Sequence, residues 1–320
     1  MRDLQSLRNR IKQHCARVQP GLEWNSAELS LEEVFAAFEL VLDDPNASTR
    51  DERRAAERAL RDLSEGVRIA TFVYGRGDAR KFLPHDRNGV SSSYAELLET
   101  LYPRRGAPVP SVFITMNYDI NLDRCLIRLR RATQRIVDLD YGLLLANARC
   151  ATAPLFDEPR PRAAVLLRLH GGLNWVRCGA CHSMFTTVNR HATVRAADAC
   201  WSCGRETLGY VIVHPSFLRT YSDPVIRLVW GRARSELSDA DRWIFIGYSL
   251  PDADVHLREL LRECLRRRRA LNKATEVVFV GRDPGHVNVA ERYSRLFGTR
   301  LTVWRATPAG FSDFVSRSEP

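Results

Sequence analysis

The stretch AVLLRLHGGLNWVRCGAC (residues 164–181) holds the features that decide the fold of this chain. It opens with a continuous apolar run that closes in His170, which is typical of a buried strand with a polar group at its end. Two cysteines then follow in a C-x2-C spacing, which is typical of metal ligands. We therefore expect one loop, turning outward through Asn174 and Trp175, to serve both a cleft at the strand end and a metal site.

Four of the eight cysteines form two C-x2-C pairs: Cys178 with Cys181, and Cys200 with Cys203. Each pair places two sulfur atoms on one side of a tight turn, so the two pairs together supply the corners of a tetrahedron. Four thiolates leave no open position for water, and we therefore expect a structural Zn2+. Disulfide bonds are the alternative, which the absence of a secretion signal disfavours.

The composition is that of an ordinary globular protein, with 45% hydrophobic and 27% charged residues among 320. No apolar run is long enough for a membrane span, and the charged N-terminus does not resemble a signal peptide. We therefore expect a cytoplasmic protein with no membrane partner.

The chain carries a net charge of +10, and its basic residues are mostly arginine. Two explanations fit this excess: codon bias, or a phosphate-rich partner such as nucleic acid. The densest basic run, 266–269, ends a predicted helix and is expected to face solvent.

Short apolar runs alternate with helical patterns in the second half of the chain. The runs lie at 111–115, 164–169, 209–213, 242–248, 275–281 and 300–304, and the helical stretches at 120–132, 224–238, 253–269 and 287–297. This alternation predicts an α/β fold with a doubly wound, Rossmann-like parallel sheet. We place a mainly helical region at 1–110, the Rossmann-like domain at 111–172 and 208–320, and an inserted zinc module at 173–207.

Polar residues and glycines come directly after the predicted strands, where doubly wound sheets bind their ligands. They are Asn117, Asp119, His170, Gly247, Ser249 and Asp283. Each has a structural alternative. Asn117 and Asp119 are common helix-capping residues, and a lone histidine is often a buried, hydrogen-bonded one.

Four elements occur in an order that resembles the sirtuin family. They are TMNYD (115–119), LHG (169–171), the four cysteines, and GYSL (247–250). The sequence is most similar to the bacterial sirtuin-like branch of NAD-hydrolysing anti-phage defence proteins. The resemblance spans about residues 111–284 and implies NAD as substrate and a structural Zn2+. It implies a NAD hydrolase most strongly. The alternatives are a NAD-dependent protein-lysine deacylase and an inactive zinc-containing module that binds nucleic acid or a defence partner. The sequence does not decide between a monomer and a homo-oligomer.

The resemblance also implies roles for individual residues. It places Asn117 and Asp119 near the nicotinamide ribose and makes His170 the base. The other cofactor-binding residues that it implies are Thr115, Gly247 and Ser249, together with Asp283 near the adenosine end of NAD.

One element of the family is missing, the glycine-rich G-A-G-x-S loop that binds the phosphates. The nearest motif is G-R-G at 75–77, after the apolar run IATFVY, and it lacks the serine and a helical continuation. We expect the reading frame to begin upstream of Met1, with a strand and this loop. The alternative is a chain that binds NAD poorly.

Overall fold

A computed structural model gives the structure of the protein. The residues that it describes are 13, 31–43, 49–60, 62, 92–103, 109–133, 139–143, 164–186, 199–200, 202–206, 208–214, 223–251, 254–281, 289–298, 301–304 and 314. The helices are α1 (Leu31–Asp43), α2 (50–60), α3 (Ser92–Leu101), α4 (Asn121–Thr133), α5 (Pro224–Asp239), α6 (Val255–Ala270) and α7 (Val289–Phe297). The strands are β1 (Val112–Thr115), β2 (Leu139–Asp140), β3 (Ala164–Arg168), β4 (Gly171–Cys178), β5 (Met184–Thr186), β6 (Leu208–Ile212), β7 (Arg242–Ile246), β8 (Glu276–Val280) and β9 (Leu301–Trp304). None of the helices in these ranges is long and apolar enough to cross a membrane.

The chain divides into two compact units. The zinc unit comprises residues 1–82, 117–119 and 170–223, and the sheet unit comprises 83–116, 120–169 and 224–320. The zinc unit contains the four cysteines of the two C-x2-C pairs, and the sheet unit contains the parallel strands found among the described residues. The domain boundaries inferred from the sequence remain a prediction.

The sheet unit contains parallel strands, as the alternation of apolar runs and helices predicts. One group has the order β1-β3-β2, with Ile114 opposite Leu167, and the other has the order β7-β8-β9, with Phe245 opposite Phe279. All the pairings in both groups are parallel. The α/β fold class is therefore confirmed.

Strand β8 shows that its sheet is covered on both faces. Phe279 points to one face, where its ring lies 4.7 Å from that of Tyr293 in helix α7. Val278 and Val280 point to the other face and pack with Phe314. Neighbouring residues of a strand alternate between faces, so a strand that is apolar throughout needs cover on both sides, as in a doubly wound sheet.

The zinc unit contains an antiparallel sheet with the order β5-β4-β6. Two expectations are wrong here. The stretch that follows His170 is strand β4 and not a loop, and the run at 209–213 pairs antiparallel with β4 as strand β6 instead of joining the parallel sheet. The sequence AVLLRLHGGLNWVRC therefore forms two successive strands of different sheets, separated by a turn at 169–170.

Helices α1 and α2 form a small core of their own in the zinc unit. Phe35 and Phe38 of α1 are fully buried among alanines of α2. Helix α2 begins with a capping box, because the Thr49 amide donates to Glu52 Oε2 (2.7 Å) and the Glu52 amide donates to Thr49 Oγ1 (3.3 Å). The prediction of helices in this region is confirmed for the described residues.

The arginine run at 266–269 does not face solvent throughout. Arg268 is fully buried, and its guanidinium donates to Thr275 Oγ1 (2.6 Å) and to Asp241 Oδ1 (2.8 Å). The other three arginines of the run are exposed. Helical periodicity accounts for the difference, because only one of four consecutive residues faces the interior in this turn.

Candidate functional site

The TMNYD motif lies at the carboxyl end of strand β1. The strand ends at Thr115, whose carbonyl oxygen accepts a hydrogen bond from the Leu169 amide (3.0 Å) at the end of the adjacent strand β3. Residues 116–120 then form an irregular segment before helix α4. Asn117 is exposed in this segment and Asp119 is half-buried.

His170 lies beside this motif in the zinc unit and is 5% exposed. Its ring stacks with that of Tyr118, with the ring centroids 6.2 Å apart and an interplanar angle of 29°. The Tyr118 hydroxyl donates to the Val213 carbonyl oxygen (2.5 Å), and the Val213 amide donates to the His170 carbonyl oxygen (2.9 Å). The histidine and the motif are therefore held against the same residue, just after strand β6.

The glycine after His170 is required by a close backbone approach. Gly171 has a φ of 73°, and a Cβ atom on it would lie 2.0 Å from the Val211 carbonyl oxygen in strand β6. The pairing of β4 with β6 shifts register between Gly171 and Val176. A larger residue would therefore push the two strands apart next to the histidine.

The second group of predicted residues lies in the sheet unit, after strand β7. Gly247 and Ser249 are exposed, and Gly247 has a φ of 64°, which favours glycine. The Gly247 amide donates to the Val280 carbonyl oxygen (2.7 Å) of the neighbouring strand β8. Thr115 also belongs to the sheet unit, whereas Asp283 lies outside the described residues.

The four predicted zinc ligands come together. The sulfur atoms of Cys178 and Cys203 are 3.7 Å apart, those of Cys181 and Cys200 are 3.6 Å apart, and all four lie within 4.8 Å of one another. A tetrahedral Zn2+ with Zn–S bonds of about 2.3 Å requires sulfur atoms about 3.8 Å apart. The cysteine cluster therefore fits this ion.

The pKa values of the cysteines move in both directions: the Cys181 amide lowers the pKa of Cys178, but burial and the neighbouring cysteines raise it to about 11. The Cys181 amide lies 3.5 Å from Cys178 Sγ, and the Ser202 amide lies 3.4 Å from Cys200 Sγ. Hydrogen bonding to Ser183 lowers the pKa of Cys181 to about 6. The cluster has the geometry of a structural metal site without an open coordination position.

Sequence reasoning missed a buried ion pair at the end of strand β3. Arg168 (1% exposed) pairs through Nη2 with Asp123 Oδ2 in helix α4, and Tyr141 donates to Asp123 Oδ1 (2.7 Å). One signal was available, since Arg168 interrupts an otherwise apolar run. The pair links the strand that precedes His170 to the helix that follows TMNYD.

A second missed pair lies in the zinc unit, next to Val213. His214 Nδ1 lies 3.1 Å from Glu39 Oε1 in helix α1, and the ring of His214 stacks on Phe35 at 4.9 Å. No local pattern could have found it, because the two partners are 175 positions apart in the sequence. The pair attaches helix α1 to the segment that holds Tyr118 and His170.

The model of one protein family, described as SIR2-like domain, matches residues 111–301, which is more than half of the chain. The chain belongs to the SIR2-like domain family. The match covers the TMNYD, LHG, cysteine and GYSL elements together. No curated protein shows significant similarity to this SIR2-like sequence.

Solved structures similar to this SIR2-like protein include a Sir2 homologue in complex with NAD, with 16% identity, a TM-score of 0.38, and coverage of 70% of this chain and 63% of that one. Another is a complex of Sir2 with a p53 peptide and NAD+, with 16% identity, a TM-score of 0.36, and coverage of 70% and 67%. A third is a Sir2 homologue variant with 2'-O-acetyl ADP ribose, with 16% identity, a TM-score of 0.42, and coverage of 86% and 78%. The SIR2-like chain covers about two thirds of the length of the first two.

Proposed function

We propose that this protein hydrolyses NAD at the bond between nicotinamide and ribose. Membership of the SIR2-like domain family supports NAD as the ligand. The observation that carries the proposal is the contact of His170 with Tyr118, the residue between Asn117 and Asp119. An imidazole beside a segment that carries an amide and a carboxylate supplies the groups that a water-dependent cleavage of a glycosidic bond needs.

The proposed reaction adds water across one bond. The bond between C1′ of the ribose and N1 of the cationic nicotinamide ring breaks, and its electron pair leaves with neutral nicotinamide. The oxygen of water bonds to C1′, and the proton that the water loses passes to the imidazole of His170 and then to solvent. The products are nicotinamide, ADP-ribose and one proton, so atoms and charge balance.

Asn117 and Asp119 act on the ribose in this proposal. The ribose acquires oxocarbenium character as nicotinamide departs, and a nearby carboxylate or amide oxygen stabilises such a cation. We assign this stabilisation to Asp119, and the orientation of water or a ribose hydroxyl to Asn117. His170 accepts the proton, because an imidazole can act as a base near neutral pH.

The remaining predicted residues bind the rest of the dinucleotide in this proposal. Gly247 and Ser249 contact the phosphates and ribose, Thr115 supports the nicotinamide side, and Asp283 lies near the adenosine end. The four cysteines would hold Zn2+, which would stabilise this part of the fold and take no part in the chemistry, because four sulfur ligands leave no position for water.

The test is an incubation of purified protein with NAD alone and with NAD plus an acetyl-lysine peptide. We expect nicotinamide and ADP-ribose in equal amounts without any peptide. Turnover that requires the peptide and yields acetylated ADP-ribose would instead identify a deacylase. Salt-dependent DNA binding without NAD turnover would identify a binding module.

The biological setting that we propose is bacterial anti-phage defence. The resemblance of TMNYD and GYSLPDAD to the defence branch of the family supports this setting. A bacterial host that carries the gene should form fewer phage plaques and lose NAD after infection, and a His170→Ala variant should abolish both effects. Full NAD levels in infected cells with reduced plaque numbers would contradict this role.

A further inference from the structure

Two carbonyl groups of the loop after strand β7 are held by neighbouring residues of helix α7. The Tyr293 hydroxyl donates to the Tyr248 carbonyl oxygen (2.8 Å), and Arg292 Nη1 donates to the Ser249 carbonyl oxygen (3.2 Å). Tyr293 is fully buried, and its ring lies 5.2 Å from that of Phe245. The hydroxyl therefore has a fixed position, and both carbonyl groups face helix α7.

This orientation decides where the next two amide groups point. The peptide bonds of the loop are trans, and a trans peptide unit places its C=O and N–H on opposite sides. The N–H groups of Ser249 and Leu250 therefore point away from helix α7. Leu250 is fully buried and has a φ of 50°, and neither N–H is hydrogen-bonded within the described part of the chain. Ser249 is exposed, so an acceptor atom of a ligand can reach its N–H group, whereas Leu250 has no exposed surface.

The loop is also fixed at its two ends. The Gly247 amide donates to the Val280 carbonyl oxygen (2.7 Å), and the Tyr248 hydroxyl donates to Asp254, which is 3% exposed at the start of helix α6. Residues 247–250 are therefore held by strand β8, helix α6 and helix α7, all within the sheet unit. A loop held in this way presents its N–H groups without further rearrangement.

We propose that Tyr293 and Arg292 are positioning residues for the binding of NAD. By fixing the carbonyl groups of residues 248 and 249, they hold the loop so that the exposed N–H group of Ser249 faces an anionic group of the dinucleotide. The inference rests on the proposed function, which supplies a ligand that carries a pyrophosphate. Neither side chain takes part in bond cleavage, so their effect is on affinity.

The test compares three single variants by calorimetric titration with NAD and with its product ADP-ribose. Tyr293→Phe removes only the hydroxyl, and we expect the Kd for both ligands to rise about fivefold, as for the loss of one hydrogen bond. The KM for NAD should rise by a similar factor, with kcat unchanged within about twofold. Arg292→Ala should also weaken the binding of both ligands. Arg295→Ala is the matched control, because it removes the same charge from the same helix, where Arg295 pairs with Glu291, and it should leave both Kd values unchanged.

The outcomes separate this inference from the proposed reaction. Weaker ADP-ribose binding by Tyr293→Phe and Arg292→Ala supports the inference even if the wild-type protein does not cleave NAD, and in that case only the proposed hydrolysis is wrong. Unchanged Kd values in the folded variants would overturn the inference, whatever the activity. A wild-type protein that binds neither ligand would also overturn it. If Tyr293→Phe does not fold, Arg292→Ala decides alone, because its side chain is outside the aromatic core.

Discussion

The Tyr118 hydroxyl donates to the Val213 carbonyl oxygen at 2.5 Å, while the same ring stacks on His170. Since the Val213 amide also donates to the His170 carbonyl oxygen (2.9 Å), one residue of the zinc unit fixes both the motif and the histidine. The proposed base therefore depends on a contact with the segment after strand β6, and not only on the strand that precedes it.

A Tyr118→Phe variant tests this dependence. It removes the hydrogen bond to Val213 but keeps the ring against His170. We expect NAD hydrolysis to fall about five- to tenfold, because a lost hydrogen bond costs about 1 kcal/mol and allows the ring to move. Steady-state kinetics measures the effect, with zinc content as the check that the fold is intact. Full activity would show that the contact does not position the histidine.

Replacement of Gly171 by alanine should destabilise the protein by about 2 to 4 kcal/mol. The new Cβ would lie 2.0 Å from the Val211 carbonyl oxygen, and the residue would have to keep a φ of 73°. Gly209→Ala is the matched control, because a Cβ atom there meets nothing within 4 Å. Denaturant unfolding of both variants gives the two values, and an equal loss of stability would contradict the close approach.

The zinc prediction is about one Zn2+ per chain, bound by the four cysteines. Cys200→Ser should abolish zinc binding and unfold the segment around the cluster, while the parallel sheets persist. Elemental analysis and circular dichroism measure the two effects. Cys264→Ser, at a buried cysteine outside the cluster, should keep its zinc. Protein that contains no zinc after purification without chelator would contradict the predicted zinc site.

The buried pair of Arg168 and Asp123 should contribute strongly to stability. Asp123→Asn leaves the guanidinium charge in the interior with a neutral partner, and loss of one partner of a buried pair costs about 3 to 5 kcal/mol. The exposed pair of Arg295 and Glu291 gives the comparison, since Glu291→Gln should cost less than about 1 kcal/mol. Thermal unfolding of both variants measures the two losses of stability. Similar melting temperatures would contradict the prediction that the buried pair contributes more than the exposed pair.

Local patterns in the sequence predicted most of the regular elements of the sheet unit and the metal cluster, but not strand β2 or helix α3. Helix α6 was expected at 253–269 and spans Val255–Ala270, and the apolar run at 275–281 contains strand β8. The four cysteines were found because their spacing alone encodes their geometry. These features depend on periodicity and spacing over short distances, which a single sequence displays.

Features that depend on distant partners were not predictable. The stretch GGLNWVRC was expected to be a loop that leads from the strand end to the first cysteine pair, yet it pairs with β5 and β6. The run at 209–213 is as apolar as the parallel strands, so the sequence could not show whether it pairs in a parallel or an antiparallel direction. The contact of Glu39 with His214 joins residues 175 positions apart. The predictions for Asp283 and for the G-R-G motif at 75–77 fall outside the described residues.

The most direct measurement of the central claim is the release of nicotinamide from NAD by the wild-type protein, by His170→Ala, and by His256→Ala as the control at an exposed histidine. We predict release by the wild type and by His256→Ala without any acylated peptide. We predict a rate about a hundredfold or more lower for His170→Ala, as for the loss of a general base, with normal zinc content. A His170→Ala variant that releases nicotinamide at the wild-type rate would contradict the assignment of His170, and a wild-type protein that binds NAD but never releases nicotinamide would contradict the proposed hydrolysis.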